Sequence, residues 1–150
     1  MTSIIGWIFP IVINIIGKFY FDINNTCIIN CPPNNYWENS ANNTCESCDE
    51  SCLTCSNSTA VGCLTCDNGR FFYYTNSTCL INCPPNNYWE NSTNNTCQFC
   101  DISCLACSNS TDIGCLTCDN GRFFLDSNTS CLPNCPLYKY WENITNNTCQ

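Results

Sequence analysis

Apolar residues fall into one long run near the start of the chain and then into short islands that recur at a fixed spacing. The run, Ile4 to Ile16, follows Met1-Thr2-Ser3 with no basic residue before it, and Pro10 and Asn14 interrupt it. Its length suits the apolar centre of a signal peptide, with cleavage after Gly17, and falls short of the roughly 20 residues that cross a bilayer. The islands are aromatic: Tyr36-Trp37, Tyr88-Trp89 and Tyr140-Trp141 form one set, and Phe71-Phe72 and Phe123-Phe124 the other. No segment between Cys27 and Gln150 sustains a helical apolar period, so the pattern predicts short strands joined by turns.

Two kinds of hairpin are expected. Asn68-Gly69 and Asn120-Gly121 stand just ahead of a Phe-Phe island, and Asn-Gly accepts positive φ at both central positions of a tight turn. The Tyr-Trp-Glu islands are each followed by an Asn/Ser/Thr stretch that returns the chain to Cys45, Cys97 or Cys149. Pro32-Pro33 and Pro84-Pro85 follow a cysteine directly, remove backbone donors and bar a helix there.

Cysteine fixes the spacing. Cys27, Cys79 and Cys131 are 52 residues apart, and every other cysteine has a mate at the same interval. Residues 27–78 and 79–130 differ at 13 of 52 positions without an insertion. The chain therefore divides into a non-repeat leader (1–16), a partial repeat (17–26), repeat 1 (27–78), repeat 2 (79–130) and the opening of a third (131–150). Lys18-Phe19-Tyr20 stands where Arg70-Phe71-Phe72 stands, and Asn14 occupies the position of a cysteine. An array that starts and stops partway through a unit is expected to be a slice of a longer one.

Nineteen of 150 residues are cysteine, above the roughly 8–10% that marks a disulfide scaffold. Leu, Ile, Val and Phe together stay below about 20% over residues 23–150, too few for a sizeable core. Bridges must replace that core, each worth on the order of 2–4 kcal/mol. The expected fold is small, disulfide-rich and mostly coil, with two-stranded hairpins strung into an elongated rod that has no common core.

Twelve acidic residues against four basic ones (Lys18, Arg70, Arg122 and Lys139) argue against nucleic acid as a partner. The carboxylates are scattered singly and read as solvated surface, with a weak calcium site as the competing reading. Disulfides persist in oxidising compartments, and two features point to export. One is the leader, for which a signal anchor or a wrongly joined stretch are the alternatives. The other is the glycosylation pattern N-x-S/T at Asn24, Asn42, Asn57, Asn76, Asn91, Asn94, Asn109, Asn128, Asn143 and Asn146. An Asn-rich composition inflates such matches, which is the bland reading of the same pattern.

The C-x2-C pairs have two chemical readings besides bridging. Four thiolates from two such pairs complete a tetrahedral zinc site, which would make this an intracellular zinc protein. That reading leaves Cys27 and Cys31 without a role. A thioredoxin-like site needs one motif at a helix start, whereas this motif recurs six times. Histidine is absent, which removes the commonest general base and any Ser/His or Cys/His nucleophile. No catalytic residue, cofactor or metal ligand is assigned. Phe71, Phe72, Tyr88 and Trp89 form either a ligand-binding stripe or a cover over cystines, with Arg70 and Arg122 stacking on them.

The run Cys48-x3-Cys52-x2-Cys55-x7-Cys63-x2-Cys66-x12-Cys79-x3-Cys83-Pro84-x3-Tyr88 resembles the furin-like repeat of growth factor receptor and proprotein convertase cysteine-rich domains. Arrays with similar Asn-rich spacing occur in surface proteins of ciliates and other protists. The resemblance covers residues 17–150. It implies the pairs Cys31–Cys45, Cys48–Cys55, Cys52–Cys63, Cys66–Cys79, Cys83–Cys97, Cys100–Cys107, Cys104–Cys115, Cys118–Cys131 and Cys135–Cys149, and leaves Cys27 unpaired.

The function expected is a non-enzymatic extracellular module of a secreted or cell-surface protein, acting as a spacer or binding another extracellular protein. The alternatives are an accessory region of a receptor or protease encoded beyond these residues, and the zinc protein above. Membrane association is expected only through the leader or through parts outside this chain.

Overall fold

The computed structural model describes residues 18–150, so the leader and the cleavage expected after Gly17 lie outside the described residues. Among these residues the regular structure is strand, apart from two single 3-10 turns at Asp22–Asn24 and Ala60–Gly62.

The strands repeat in sets. The first set is β1 (Phe19–Phe21), β2 (Thr26–Ile28), β3 (Tyr36–Asn39), β4 (Thr44–Ser47), β5 (Cys52–Cys55) and β6 (Cys63–Cys66). The second is β7 (Phe71–Tyr73), β8 (Thr78–Leu80), β9 (Tyr88–Asn91), β10 (Thr96–Phe99), β11 (Cys104–Cys107) and β12 (Cys115–Cys118). β13 (Phe123–Leu125), β14 (Ser130–Leu132), β15 (Glu142–Asn143) and β16 (Thr148–Cys149) follow. Four-stranded sheets, ordered β2-β1-β4-β3, β8-β7-β10-β9 and β14-β13-β16-β15, alternate with the two-stranded pairs β5-β6 and β11-β12.

The Tyr-Trp hairpin has the expected form, with Tyr88 opposite Phe99 and Asn91 opposite Thr96. The Phe-Phe island also enters a hairpin, Phe71 opposite Leu80 and Tyr73 opposite Thr78, but its turn is Tyr74 to Ser77 and not Asn-Gly. Asn68-Gly69 instead forms a β-turn between β6 and β7, in which Arg70 N–H donates to Asp67 C=O at 3.3 Å. Only the glycine there has positive φ, 78° at both Gly69 and Gly121. A hairpin turn of the I′ kind needs positive φ at both central residues, so one is not made.

The hairpins also do not stand alone. β7 runs parallel to β10, Phe72 beside Thr96, and Phe72 N–H donates to Asn95 C=O at 2.8 Å. Tyr20 bonds to Asn43 and Phe124 to Asn147 in the same way. Asn43, Asn95 and Asn147 have φ between 53° and 57°, a left-handed geometry that asparagine tolerates well. That geometry turns the carbonyl out of its own hairpin toward the neighbouring one.

Three separate cores follow the chain. Buried Cys52, Cys55, Cys63 and Cys79 make the first, covered by Trp37 and Phe72. Cys104, Cys107, Cys115 and Cys131, covered by Trp89 and Phe124, make the second. Leu125, Cys135 and Cys149 make the third, with Phe123, Leu132 and Tyr140 against it.

Candidate functional site

The cysteine framework is the chemically distinctive part of the molecule. Cys48–Cys55 and Cys52–Cys63 interlace across β5 and β6, and Cys66–Cys79 ties β6 to β8 of the next sheet. Cys100–Cys107, Cys104–Cys115 and Cys118–Cys131 do the same one unit later. Cys31–Cys45, Cys83–Cys97 and Cys135–Cys149 close the loop that leads into each Tyr-Trp hairpin. All nine pairs have Cα atoms 5.1 to 5.7 Å apart, within the range that a cystine spans. Cys27 is exposed and free, and residues 1–17 hold no cysteine.

Oxidised sulfur is not a zinc ligand, because coordination requires the thiolate. With eighteen cysteines in bridges, the C-x2-C pairs serve as cystine halves. Among the described residues, no cluster of three His, Cys, Asp or Glu side chains is placed to hold a metal ion.

Side chains invisible as motifs carry the joints between sheets and cystine knots. Trp37 and Trp89 lie over the following knot, their indole N–H groups buried without an acceptor among the described residues. Asn35, with φ 65°, donates its N–H to Leu53 C=O at 2.7 Å and accepts from Cys48 N–H at 2.8 Å. Asn87 repeats both bonds with Leu105 and Cys100. Glu38, Glu90 and Glu142 accept the backbone N–H of Cys31, Cys83 and Cys135 at 3.0 to 3.1 Å, which clips the Cys-Pro loop to its hairpin. The signal for these roles was identity between the two full repeats.

Within each knot, the Asp49 carboxylate accepts the Ser51 hydroxyl at 2.6 Å and the Ser51 N–H at 2.9 Å. Those bonds, with Arg70 adding a smaller attraction, hold Asp49 below the usual carboxylate range. Asp101 is lowered in the same way by Ser103 and then Arg122. Ser51 and Ser103 are buried against the cystine sulfurs. The cation found over a ring among the described residues is Lys139, 5.3 Å from the centre of Tyr140, and not Arg70 or Arg122.

The aromatic stripe divides. Phe72 and Trp89 cover cystines, while Tyr88 joins a surface group with Tyr73 at 5.1 Å and Phe99 at 4.5 Å between ring centres. The Asn side chains of the glycosylation patterns divide as well. Asn24, Asn42, Asn76, Asn94, Asn128 and Asn146 are exposed at hairpin turns, whereas Asn57, Asn91, Asn109 and Asn143 are half-buried.

No family model matches the chain. It is 31% identical over 121 residues to Furin-like protease 2 of Drosophila melanogaster, covering 81% of this chain and 7% of that protein. Cysteine repeat modular protein 2 of Tetrahymena thermophila is 31% identical over 140 residues, 78% of this chain and 7% of its own length. The chain carries furin-like cysteine-rich repeats. These furin-like repeats also align with Extracellular matrix organizing protein FRAS1 of Homo sapiens, 29% identical over 133 residues, 87% of this chain and 3% of that protein. The chain thus spans less than a tenth of the length of each relative. A furin-like array locked by nine bridges is an extracellular structure. Among its described residues no helix is long and apolar enough to cross a membrane.

Proposed function

We propose that the furin-like array is a non-enzymatic spacer that holds other parts of an extracellular protein at a set separation. The observation that carries this reading is the locality of every bridge: each joins residues 7 to 14 positions apart, so none reaches beyond the neighbouring sheet. The first two cores are each finished within one knot and the hairpins beside it, and the third within a single four-stranded sheet and its Cys135–Cys149 bridge. Units of that kind add length without adding a shared interior, which is what a spacer requires.

Small-angle scattering tests it on the full chain and on versions carrying one or two further 52-residue units. A spacer gains a constant increment in maximum dimension per unit. A maximum dimension that stays level while the cross-section grows would contradict it, because the units would then be folding back on one another.

A second reading is that the array is an accessory region of a protease. It is favoured by the likeness to Furin-like protease 2 and to Proprotein convertase subtilisin/kexin type 6 of Homo sapiens, 35% identical over 81 residues. A protease-coding segment in the full-length transcript is the expected finding under that reading. A full-length transcript with no such segment would exclude it.

A further inference from the structure

The ten glycosylation patterns look alike in sequence, and the fold divides them. We propose that N-linked glycan sits on the hairpin tips, at Asn24, Asn42, Asn76, Asn94, Asn128 and Asn146, and that the fold itself keeps it off Asn57 and Asn109. The proposal rests on the extracellular placement of the chain and adds which asparagines are modified.

All six tips share one geometry. The residue after the asparagine is left-handed, with φ between 53° and 57° at Asn25, Asn43, Ser77, Asn95, Thr129 and Asn147. The hydroxyl of the third residue donates to the asparagine Oδ1 at 2.5 to 2.7 Å. The turn therefore uses the amide oxygen and leaves the nitrogen facing solvent. At Asn42 one Nδ2 hydrogen goes to Glu46 at 3.1 Å, and the second remains.

Glycan transfer forms a bond from Nδ2 to the anomeric carbon of a lipid-diphosphate-linked oligosaccharide. The sugar–phosphate bond breaks, the lipid diphosphate leaves, and one Nδ2 proton passes to base. Oδ1 is untouched, so a glycosylated tip keeps its turn.

Asn57 and Asn109 are built differently. Asn57 Oδ1 accepts both the N–H and the hydroxyl of Thr59, at 2.9 and 2.6 Å. Asn109 holds Thr111 in the same way. Their amides lie flat on a glycine: a Cβ at Gly62 would come within 2.6 Å of Asn57 Nδ2, and one at Gly114 would collide with Asn109. The loop is also drawn tight, since Ser56 N–H donates to Gly62 C=O at 2.8 Å between the bridged Cys55 and Cys63. With its amide packed on Gly62 and its Oδ1 tied to Thr59, the side chain must leave the loop and release Thr59 for Nδ2 to react.

The tips lie at opposite ends of each sheet. Asn76 follows the end of β7, Asn94 precedes the start of β10, and the two strands run parallel. Counting the tips, each sheet then carries two glycans, one at each end, with the knot left bare.

The test is to secrete the full chain from a eukaryotic cell and verify that its bridges have formed. Occupancy at each asparagine is then read by enzymatic deglycosylation in 18O water and peptide mass spectrometry. The tips are expected to be occupied, and Asn57 and Asn109 several-fold less. Gly62→Ala, whose Cβ displaces the Asn57 amide, should raise occupancy at Asn57 several-fold and leave the tips unchanged. If that variant is not secreted, the unaltered chain made in dithiothreitol, with its knots held open, should be occupied at Asn57.

Asn57 as full as the tips in the bridged protein overturns the proposal, as does an Asn57 that stays empty in the reduced chain. Bare tips on a bridged, secreted chain overturn it and leave the extracellular reading standing. A chain retained with its thiols reduced removes both.

Discussion

Asparagine serves the backbone of this chain as much as its surface. Among the described residues, six of the nine non-glycine residues with positive φ are asparagines, and the others are Ser77, Thr129 and Tyr138. A β-branched residue is the least suited to that region, so Thr129→Asn is expected to stabilise the bridged chain by about 1 kcal/mol. Denaturant unfolding under non-reducing conditions measures it, and an unchanged midpoint would refute the strain at Thr129. A second prediction concerns pH. The folded-state pKa of Asp49 and Asp101 is lowered by the Ser51 and Ser103 bonds. Their contribution is therefore complete above the ordinary carboxylate range of about 4 and is lost as pH falls through the lowered folded values. Melting temperature should drop across that window, and Asp49→Asn with Asp101→Asn should flatten the drop. An identical pH profile in the double variant would show these aspartates to be passive. In the sequence, the asparagines read as turn formers and glycan acceptors, whereas their carbonyl-turning role at Asn43, Asn95 and Asn147 depends on a neighbour that no local pattern reveals.

Among the elements, the Tyr-Trp hairpin was legible because strand, turn and returning cysteine follow one another in the sequence. The third copy departs from it: β15 begins at Glu142, and Trp141 is 60% exposed. Lys139 stands there in place of the left-handed Asn35 and Asn87, and the positive φ falls on Tyr138 instead. The Asn-Gly reading failed because a dipeptide permits several turns, and β6 is already paired with β5 and bridged to it by Cys52–Cys63, which left the turn no antiparallel partner. Pairing of hairpins into four-stranded sheets was illegible for another reason, since a single parallel contact leaves no periodicity to read. The knot yields a prediction at this scale. Cys52 and Cys63 are 2% and 1% exposed, so Cys52→Ser buries an orphaned thiol and removes a bridge worth about 2–5 kcal/mol. Secreted yield should collapse, whereas Cys27→Ser, at an exposed free thiol, should leave it unchanged. Equal losses from the two substitutions would contradict the framework.

For the molecule as a whole, short covalent loops and the bridges between neighbours, Cys66–Cys79 and Cys118–Cys131, mean that each unit is tied only to the next, and stability accumulates along the array. The class of the fold and its compartment were readable from the cysteine ladder, because period and cysteine content are properties of sequence. Which cysteine meets which was implied only by the resemblance, since the eight cysteines of one repeat, Cys27 to Cys66, allow 105 pairings among themselves. The division among glycan patterns needed the contact of Asn57 with Gly62, five positions apart and without a motif. The central claim is that this is an oxidised, locally bridged extracellular array, and it is tested most directly by thiol counting and disulfide mapping of the secreted chain, alkylated without reduction. One reactive thiol, Cys27, is expected, with nine bridges of which none joins residues more than 14 positions apart. Many reactive thiols with bound zinc, or bridges joining distant units, would contradict it.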